Sequence, residues 1–164
     1  MIITIDGPAG SGKGTIAAAL AQKYKMAYFD TGMVYRAVGL QMVLNGYDLS
    51  DETKAASIAE SMSFPQMMKL AENKDFRSDV GSKAASVISA YPSVRSALLD
   101  MQKNFALNPV FADGTPAEGA IYDGRDTGTV ICPQADLKFY VIADLAIRAK
   151  RRCADLNAAG HNIT

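Results

Sequence analysis

Residues 7–15 have the sequence Gly7-Pro8-Ala9-Gly10-Ser11-Gly12-Lys13-Gly14-Thr15, and they directly follow the short β-branched run Ile2-Ile3-Thr4-Ile5. The residues after them, from Ile16 to Ala21, are mostly strong helix formers, so the segment predicts a strand, a glycine-rich loop and a helix. Glycines let successive backbone N–H groups turn toward one point, and the helix N-terminus adds its positive end. Together with the mobile charge of Lys13, this pattern predicts a loop that binds a polyphosphate.

Gly14 is a departure from the usual form of this loop. A hydroxyl residue that binds magnesium usually follows the lysine, whereas here the hydroxyl is on Thr15, one place later. We therefore expect Thr15 to contact a phosphate and not to ligate magnesium directly. The alternative is an ordinary glycine-rich turn before a helix, and the preceding strand and following helix count against it.

The composition favours one compact domain with a small inserted lobe. The chain has 164 residues, of which 49% are hydrophobic and 21% charged, so it can bury a substantial core. Its 17 basic residues balance its 17 acidic residues, which argues against binding of nucleic acid or an anionic membrane through bulk charge. We expect no nucleic-acid partner, no membrane partner and a monomeric protein.

Cysteine usage and the N-terminal residues predict a cytoplasmic protein. Cys132 and Cys153 are far apart and lack the short paired spacing of a metal site or the density of a secreted disulfide scaffold. Met1 runs directly into the first predicted strand without a basic and then apolar leader, and no apolar run is long enough for a membrane span. These features predict neither export nor membrane insertion.

The first half of the chain alternates strand and helix and then becomes mostly helical. Met26 to Phe29 is short and aromatic and predicts a second strand, with a loop at Asp30-Thr31-Gly32. Met33 to Leu44 has apolar residues at helical spacing. Between residues 48 and 101 the pattern predicts further helices, the first capped by Ser50 or Asp51. Phe64 to Arg77 has no clear period, and we expect a loop or a short hairpin there.

The second half restores the alternation. We expect a helix capped by Ser93, a loop over residues 108–119, a third strand from Ala120 to Asp123, and a basic helix over residues 145–156. Residues 137–143 are apolar except for Lys138, which predicts a fourth, buried parallel strand. This order predicts an α/β fold, a doubly wound parallel sheet with helices on both faces.

Polar clusters follow three of the predicted strands. They are the phosphate loop after the first strand, Asp30 to Arg36 after the second, and Asp123 to Thr129 after the third. In open parallel sheets the carboxyl ends of the strands form the ligand crevice, so we expect these clusters to converge there. The alternative is that each is a solvated loop at the edge of the sheet.

These three clusters together resemble the bacterial cytidylate kinases, which are P-loop nucleoside monophosphate kinases. The similarity rests on the phosphate loop, on Asp-Thr-Gly-Met-Val-Tyr-Arg at residues 30–36, and on Asp-Gly-Arg-Asp-Thr-Gly-Thr-Val-Ile-Cys-Pro-Gln-Ala-Asp-Leu-Lys-Phe at residues 123–139. It implies a P-loop kinase core over residues 1–32 and 103–145, with an inserted, mostly helical monophosphate-binding lobe at 33–102. It also implies that residues 146–164 begin a lid.

The resemblance further implies an activity and its cofactor. The enzyme would transfer the γ-phosphoryl group of ATP, with Mg²⁺, to CMP or dCMP in pyrimidine nucleotide metabolism. The alternatives are another P-loop small-molecule kinase, or a non-catalytic or weakly active nucleotide-binding fragment. The last alternative reflects the longer family pattern, which continues with the rest of the lid and a last strand and helix, so we expect a chain that lacks the C-terminal part.

Residue roles also follow from the resemblance. The residues implied for ATP are Gly7, Pro8, Ala9, Gly10, Ser11, Gly12, Lys13, Gly14, Thr15, Arg148 and Arg152. Those implied for CMP are Thr31, Tyr35, Arg36, Ser86, Arg95, Arg125 and Asp126. Lys13 and Arg125 would be catalytic, because phosphoryl transfer needs positive charge around the moving phosphate.

The roles of Asp123, of Arg95 and of the pair Arg148 and Arg152 have structural alternatives. Asp123 would face the magnesium ion through water, or else only cap the turn around Gly124. Arg95 could instead be a solvated helix residue, and Arg148 and Arg152 could belong to a plain basic helix.

Overall fold

The computed structural model describes residues 1–158, except for the side chains of Arg152, Asp155, Leu156 and Ala158. The described chain alternates strands with helices before and after a helical middle region. The strands are β1 (Ile2–Asp6), β2 (Ala27–Asp30), β3 (Ala120–Gly124) and β4 (Leu137–Tyr140). The helices are α1 (Lys13–Tyr24), α2 (Thr31–Leu44), α3 (Glu52–Ser61), α4 (Phe64–Ala71), α5 (Asp79–Ile88), α6 (Pro92–Leu107) and α7 (Leu145–Ala158). A π-type turn, Thr127–Ile131, follows β3.

The four strands form one parallel sheet in the order β2-β3-β1-β4. On one face, α1 packs its small residues Ala17 and Ala21 against Ile3, Ile5 and Ile121. The opposite face holds an aromatic cluster of Phe29, Phe105 and Tyr122. This arrangement confirms the predicted α/β fold with a parallel sheet and helices on both faces.

The aromatic cluster joins the last part of α6 to the sheet. The ring centroids of Phe29 and Phe105 are 4.6 Å apart, and those of Phe29 and Tyr122 are 5.2 Å apart. The Tyr122 hydroxyl donates a 2.6 Å hydrogen bond to the carbonyl oxygen of Gln102. Burial raises the pKa of Tyr122, because the phenolate would be desolvated beneath the helix. This cluster packs α6 against β2 and β3.

The chain divides into two compact units. One consists of Met1–Thr31 together with the chain from Gln102 onward, and contains the sheet. The other is Gly32–Met101, which contains most of α2 and the helices α3, α4 and α5. Over residues 1–158 we find no helix that is both long enough and apolar enough to cross a bilayer.

The fourth strand differs from the prediction. It ends at Tyr140 instead of Ala143, and its side chains are exposed, with Leu137 at 46% and Phe139 at 49%. The physical reason is its place in the sheet: β4 pairs with β1 along one edge, and the described residues supply no strand for its other edge. An apolar run predicts a strand but not how many neighbours cover it.

The structure of the region from Phe64 to Arg77 also differs from the prediction, because the region begins with helix α4 and is not a hairpin. Pro65 lies in the first turn, where its missing N–H costs nothing, and Gln66 Oε1 accepts a 2.8 Å hydrogen bond from the Ser63 N–H. Met67 anchors the helix by complete burial. Helix formation here depends on these local start signals more than on a long apolar period.

Two helices, α2 and α6, begin earlier in the sequence than predicted. The segment Asp30-Thr31-Gly32 is not a loop, because α2 begins at Thr31 immediately after β2. Helix α6 begins at Pro92, so Ser93 lies inside its first turn and its hydroxyl donates to Glu52 Oε1 at 2.6 Å instead of capping the helix. The predicted cap of α3 is confirmed at Asp51, whose carboxylate accepts from the Lys54 N–H.

Candidate active site

The phosphate loop connects the end of β1 to the first turn of α1. Gly12 caps α1 in the left-handed region, with φ of 94°, and Gly10 has φ of 74°, so both positions favour glycine. The helix begins at Lys13, which places its unpaired N–H groups and positive end at the loop. Ser11 is buried, while Thr15 is exposed on the first turn of the helix. The backbone therefore has the geometry of an anion-binding loop.

Two arginines of α7 hold the loop through its carbonyl groups. Arg148 Nε donates to the Ala9 oxygen at 2.9 Å, and Arg151 Nη1 donates to the Ser11 oxygen at 2.9 Å. Sequence reasoning named Arg148 and Arg152; the Arg152 side chain lies outside the described residues, and Arg151 was missed. The spacing of three residues from Arg148 to Arg151, which puts both on one helix face, was the signal that could have found it.

Asp123 is a carboxylate that contacts the lysine of this loop. It lies in β3, is 7% exposed, and its Oδ1 is 3.5 Å from Lys13 Nζ. The Tyr28 hydroxyl donates to its Oδ2 at 3.2 Å. Burial raises the pKa of Asp123, the charge of Lys13 opposes that shift, and the nearby charge of Asp30 adds to it. The site therefore holds a desolvated carboxylate beside a cation at the end of a strand.

The structure gives a steric reason for glycine at position 14. A Cβ added at Gly14 would lie 2.8 Å from Asp123 Oδ2. A side chain at this place would therefore require the Asp123 carboxylate to shift. The side-chain partners of Asp123 are Lys13 and Tyr28 and not the turn around Gly124, so the structure disfavours the capping alternative.

Thr31, Arg125 and Asp126 lie next to the strand ends in the same unit. The Thr31 hydroxyl, which is buried, donates to the backbone oxygen of Asp123 at 2.9 Å. Arg125 is exposed and Asp126 half-buried in the segment between β3 and the π-type turn. Asp6, which sequence reasoning did not single out, is buried against that turn, and a carboxylate placed directly before a phosphate loop was the available signal.

The other predicted residues lie in the Gly32–Met101 unit. The Arg95 guanidinium lies over the Tyr35 ring, 5.9 Å from its centroid, and both residues are half-buried. Arg95 is therefore not simply a solvated helix residue. Arg36 is half-buried on α2, and Ser86 is exposed on α5. The structure brings Tyr35 and Arg95 together within this unit.

Single carboxylates are the candidate metal ligands in the described part of the chain. Among the described residues, no group of three or more His, Cys, Asp or Glu side chains is placed to hold a metal ion. Asp123 Oδ1 is buried, and its partner is the Lys13 ammonium group, 3.5 Å away. A carboxylate oxygen beside a phosphate loop is the type of ligand that magnesium prefers, and magnesium needs few protein ligands.

Comparisons with known proteins show which family the sequence resembles. A family model described as cytidylate kinase matches residues 3–164. A cytidylate kinase of Rhodopseudomonas palustris (strain BisA53) is 46% identical over 160 residues, covering 98% of this chain and 70% of that protein. Those of Rhodospirillum rubrum and Bradyrhizobium sp. (strain ORS 278) are 45% and 48% identical. The alignments cover 99% and 98% of this chain, and 73% and 70% of those two relatives.

Proposed function

The chain belongs to the cytidylate kinase family, and on that basis we propose that it transfers the γ-phosphoryl group of ATP to CMP or dCMP. A phosphate oxygen of the acceptor attacks the γ-phosphorus, the bond to the β-phosphate oxygen breaks, and ADP and CDP or dCDP result. The structural observation that carries the proposal is that Lys13 of the phosphate loop lies 3.5 Å from the Asp123 carboxylate. No side-chain nucleophile is required.

The donor phosphates would bind at the phosphate loop. Backbone N–H groups at the start of α1 and the charge of Lys13 supply the positive potential that a triphosphate needs. Arg148 and Arg151 support this role because their hydrogen bonds to Ala9 and Ser11 restrain the peptide groups of the loop. A loop restrained in advance loses little freedom when the nucleotide binds.

Magnesium bound with ATP would supply further positive charge to the phosphates when the nucleotide is present. Asp123 is the residue that would hold it, through an intervening water molecule. Lys13 and Tyr28 keep the Asp123 side chain in one orientation, which is the contribution of this chain to that role.

The acceptor would be held mainly by arginines. A planar guanidinium grips a phosphate through paired hydrogen bonds, so Arg36, Arg95 and Arg125 suit the monophosphate. Tyr35 would restrain Arg95 through the ring contact already described. Ser86 and Asp126 would contact the nucleoside, since a carboxylate accepts from the exocyclic amine of cytosine or from sugar hydroxyls. Thr31 would bind the phosphate by redirecting its O–H, which donates to the Asp123 backbone oxygen in this structure, toward a phosphate oxygen.

We also propose that the protein acts in the cytoplasm as a monomer. Two widely separated cysteines suit a reducing compartment, and the balanced charge gives no reason for binding to nucleic acid or membranes. Gel filtration of the purified chain tests the monomer.

Turnover across a panel of acceptors tests the proposed function. With ATP and magnesium present, CMP and dCMP are expected to be phosphorylated at least about tenfold more efficiently, by kcat/KM, than UMP, AMP or shikimate. A preference outside the cytidylates would show another small-molecule kinase. If calorimetry detects binding of CMP and ATP but no ADP forms, the protein is a nucleotide-binding module without turnover.

Replacing Arg36 with alanine is expected to weaken the use of CMP more than the use of ATP. Loss of a charge-assisted phosphate contact should raise the KM for CMP by about 10- to 100-fold. The KM for ATP should change by less than about twofold, because the ATP contacts lie on the phosphate loop. Initial rates with each substrate varied in turn provide the measurement.

Arg77→Ala is the matched control for Arg36→Ala, since it removes an exposed arginine from the same unit. It should leave both KM values near those of the unsubstituted protein. Equal increases in both KM values for Arg36→Ala would remove Arg36 from the acceptor assignment.

A further inference from the structure

Asp6 is a buried carboxylate that binds the turn after β3 through three hydrogen bonds. Its Oδ1 accepts from the Thr127 N–H at 2.9 Å and from the Thr127 hydroxyl at 2.8 Å. Its Oδ2 accepts from the Gly128 N–H at 2.9 Å. Asp6 is 7% exposed and Thr127 is fully buried. Both oxygens of the carboxylate are therefore committed to this turn, at the place where unpaired N–H groups begin a helical turn.

The position of Asp6 links two parts of the proposed site. It is the last residue of β1, and the phosphate loop begins at the next residue, Gly7. The turn it holds directly follows Arg125 and Asp126, the residues assigned to the acceptor. A further hydrogen bond, from the Gly7 N–H to the Gly124 oxygen at 3.2 Å, joins the same two segments. The chain thus ties the loop to the Arg125–Asp126 segment on both sides of that segment.

We propose that Asp6 is a positioning residue, which fixes Arg125 and Asp126 relative to the phosphate loop and so sets the affinity for the acceptor nucleotide. The inference rests on the proposed function, in which these two residues contact CMP. Asp6 acts through the turn and does not itself touch either nucleotide. Its effect should therefore appear in the KM for CMP and not in the KM for ATP.

The chemistry requires a carboxylate and not merely a polar residue. One oxygen accepts two hydrogen bonds from Thr127 while the other accepts from Gly128, so the three donors need two acceptor oxygens. Asparagine has one acceptor oxygen, and in either orientation its NH₂ group faces a backbone N–H. Gly128 completes the fit, because an added Cβ there would lie 2.7 Å from Thr4 Oγ1 and 3.4 Å from Asp6 Oδ2.

The substitution Asp6→Asn tests the proposal. We expect the KM for CMP to rise by about tenfold or more, while the KM for ATP stays within about twofold. Thr127→Val removes only the hydroxyl bond and should give a smaller increase in the KM for CMP. Met26→Ala is the stability control, since it deletes a buried side chain on the α1 face of the sheet, away from the turn. It should lower the melting temperature without changing the ratio of the two KM values.

Amide hydrogen exchange provides a readout that does not depend on turnover. In Asp6→Asn, amide exchange at Thr127 and Gly128 should accelerate by about tenfold or more relative to the unsubstituted protein. Exchange of the α1 amides should accelerate less. Equal changes in both KM values, or unchanged exchange at these two amides, would overturn the positioning role. If the unsubstituted protein phosphorylates no cytidylate, the proposed function fails, but the role of Asp6 can still be tested. Calorimetric binding of CMP to the unsubstituted protein and to Asp6→Asn, together with the exchange rates, then decides that role.

Discussion

Alanine at position 13 is expected to lower kcat for phosphoryl transfer by about three orders of magnitude. Lys13 is the side-chain cation at the start of α1, and its Nζ is 3.5 Å from the Asp123 carboxylate. Without it, the charge that builds up on the transferred phosphoryl group loses the side-chain cation of this loop, and backbone N–H groups and the magnesium of ATP would compensate it only in part. Steady-state turnover with saturating ATP and CMP measures the loss.

Two further substitutions separate charge from packing in the Lys13 prediction. Lys13→Met keeps the aliphatic stem and should lose as much activity as Lys13→Ala. Lys23→Ala removes an exposed lysine from the last turn of the same helix and should leave kcat unchanged. If Lys13→Ala kept more than about a tenth of the turnover, phosphoryl transfer would not depend on this loop.

The features that the sequence predicts well are those set by neighbouring residues. The strand, loop and helix around Lys13 lie within a single continuous segment, and each has its own local signal. The start of α4 was equally local, since Ser63 and Gln66 have the spacing of a capping box, but the missing apolar period in Phe64 to Arg77 obscured it.

The features that the sequence predicts poorly depend on contacts between distant segments. Whether β4 is covered depends on its neighbours in the sheet, so its apolar residues did not reveal that Phe139 is half exposed. The partner of Asp6 is 121 residues away along the chain, and that of Arg148 is 139 residues away. A resemblance to a family supplies candidate residues at such positions, but the hydrogen bonds that hold them follow only from the fold.

Substituting Asp123 with asparagine is expected to lower turnover by about a hundredfold while making the folded protein more stable at neutral pH. Asparagine has nearly the same shape and can still accept from the Tyr28 hydroxyl, so the packing around β3 should persist. It lacks the negative charge that would face the magnesium ion of bound ATP. The buried charge thus serves activity at a cost in stability.

The pH dependence of unfolding gives the sign of that cost. Burial raises the pKa of Asp123 above its usual value of 3.8, so the folded chain holds this proton more tightly than the unfolded chain. Stability therefore falls as the pH rises from 3.8 through the raised pKa, and the full cost is present above it. The free energy of unfolding of Asp123→Asn should exceed that of the unsubstituted protein at pH 7, and the two values should converge as the pH falls toward 3.8.

Denaturant unfolding without nucleotide at several pH values measures this difference, and Asp100→Asn is its matched control because it removes an exposed carboxylate from α6. The control should change neither turnover nor the pH profile. A less stable Asp123→Asn protein at pH 7 would mean that the attraction between Asp123 and Lys13 outweighs the desolvation of the carboxylate. The ion pair between Lys13 and Asp123 would then stabilise the fold, and the charge of Asp123 would carry no cost in stability. The combination of higher stability and lower turnover is expected only if burial dominates, because a group retained for folding alone would lose both when its charge is removed.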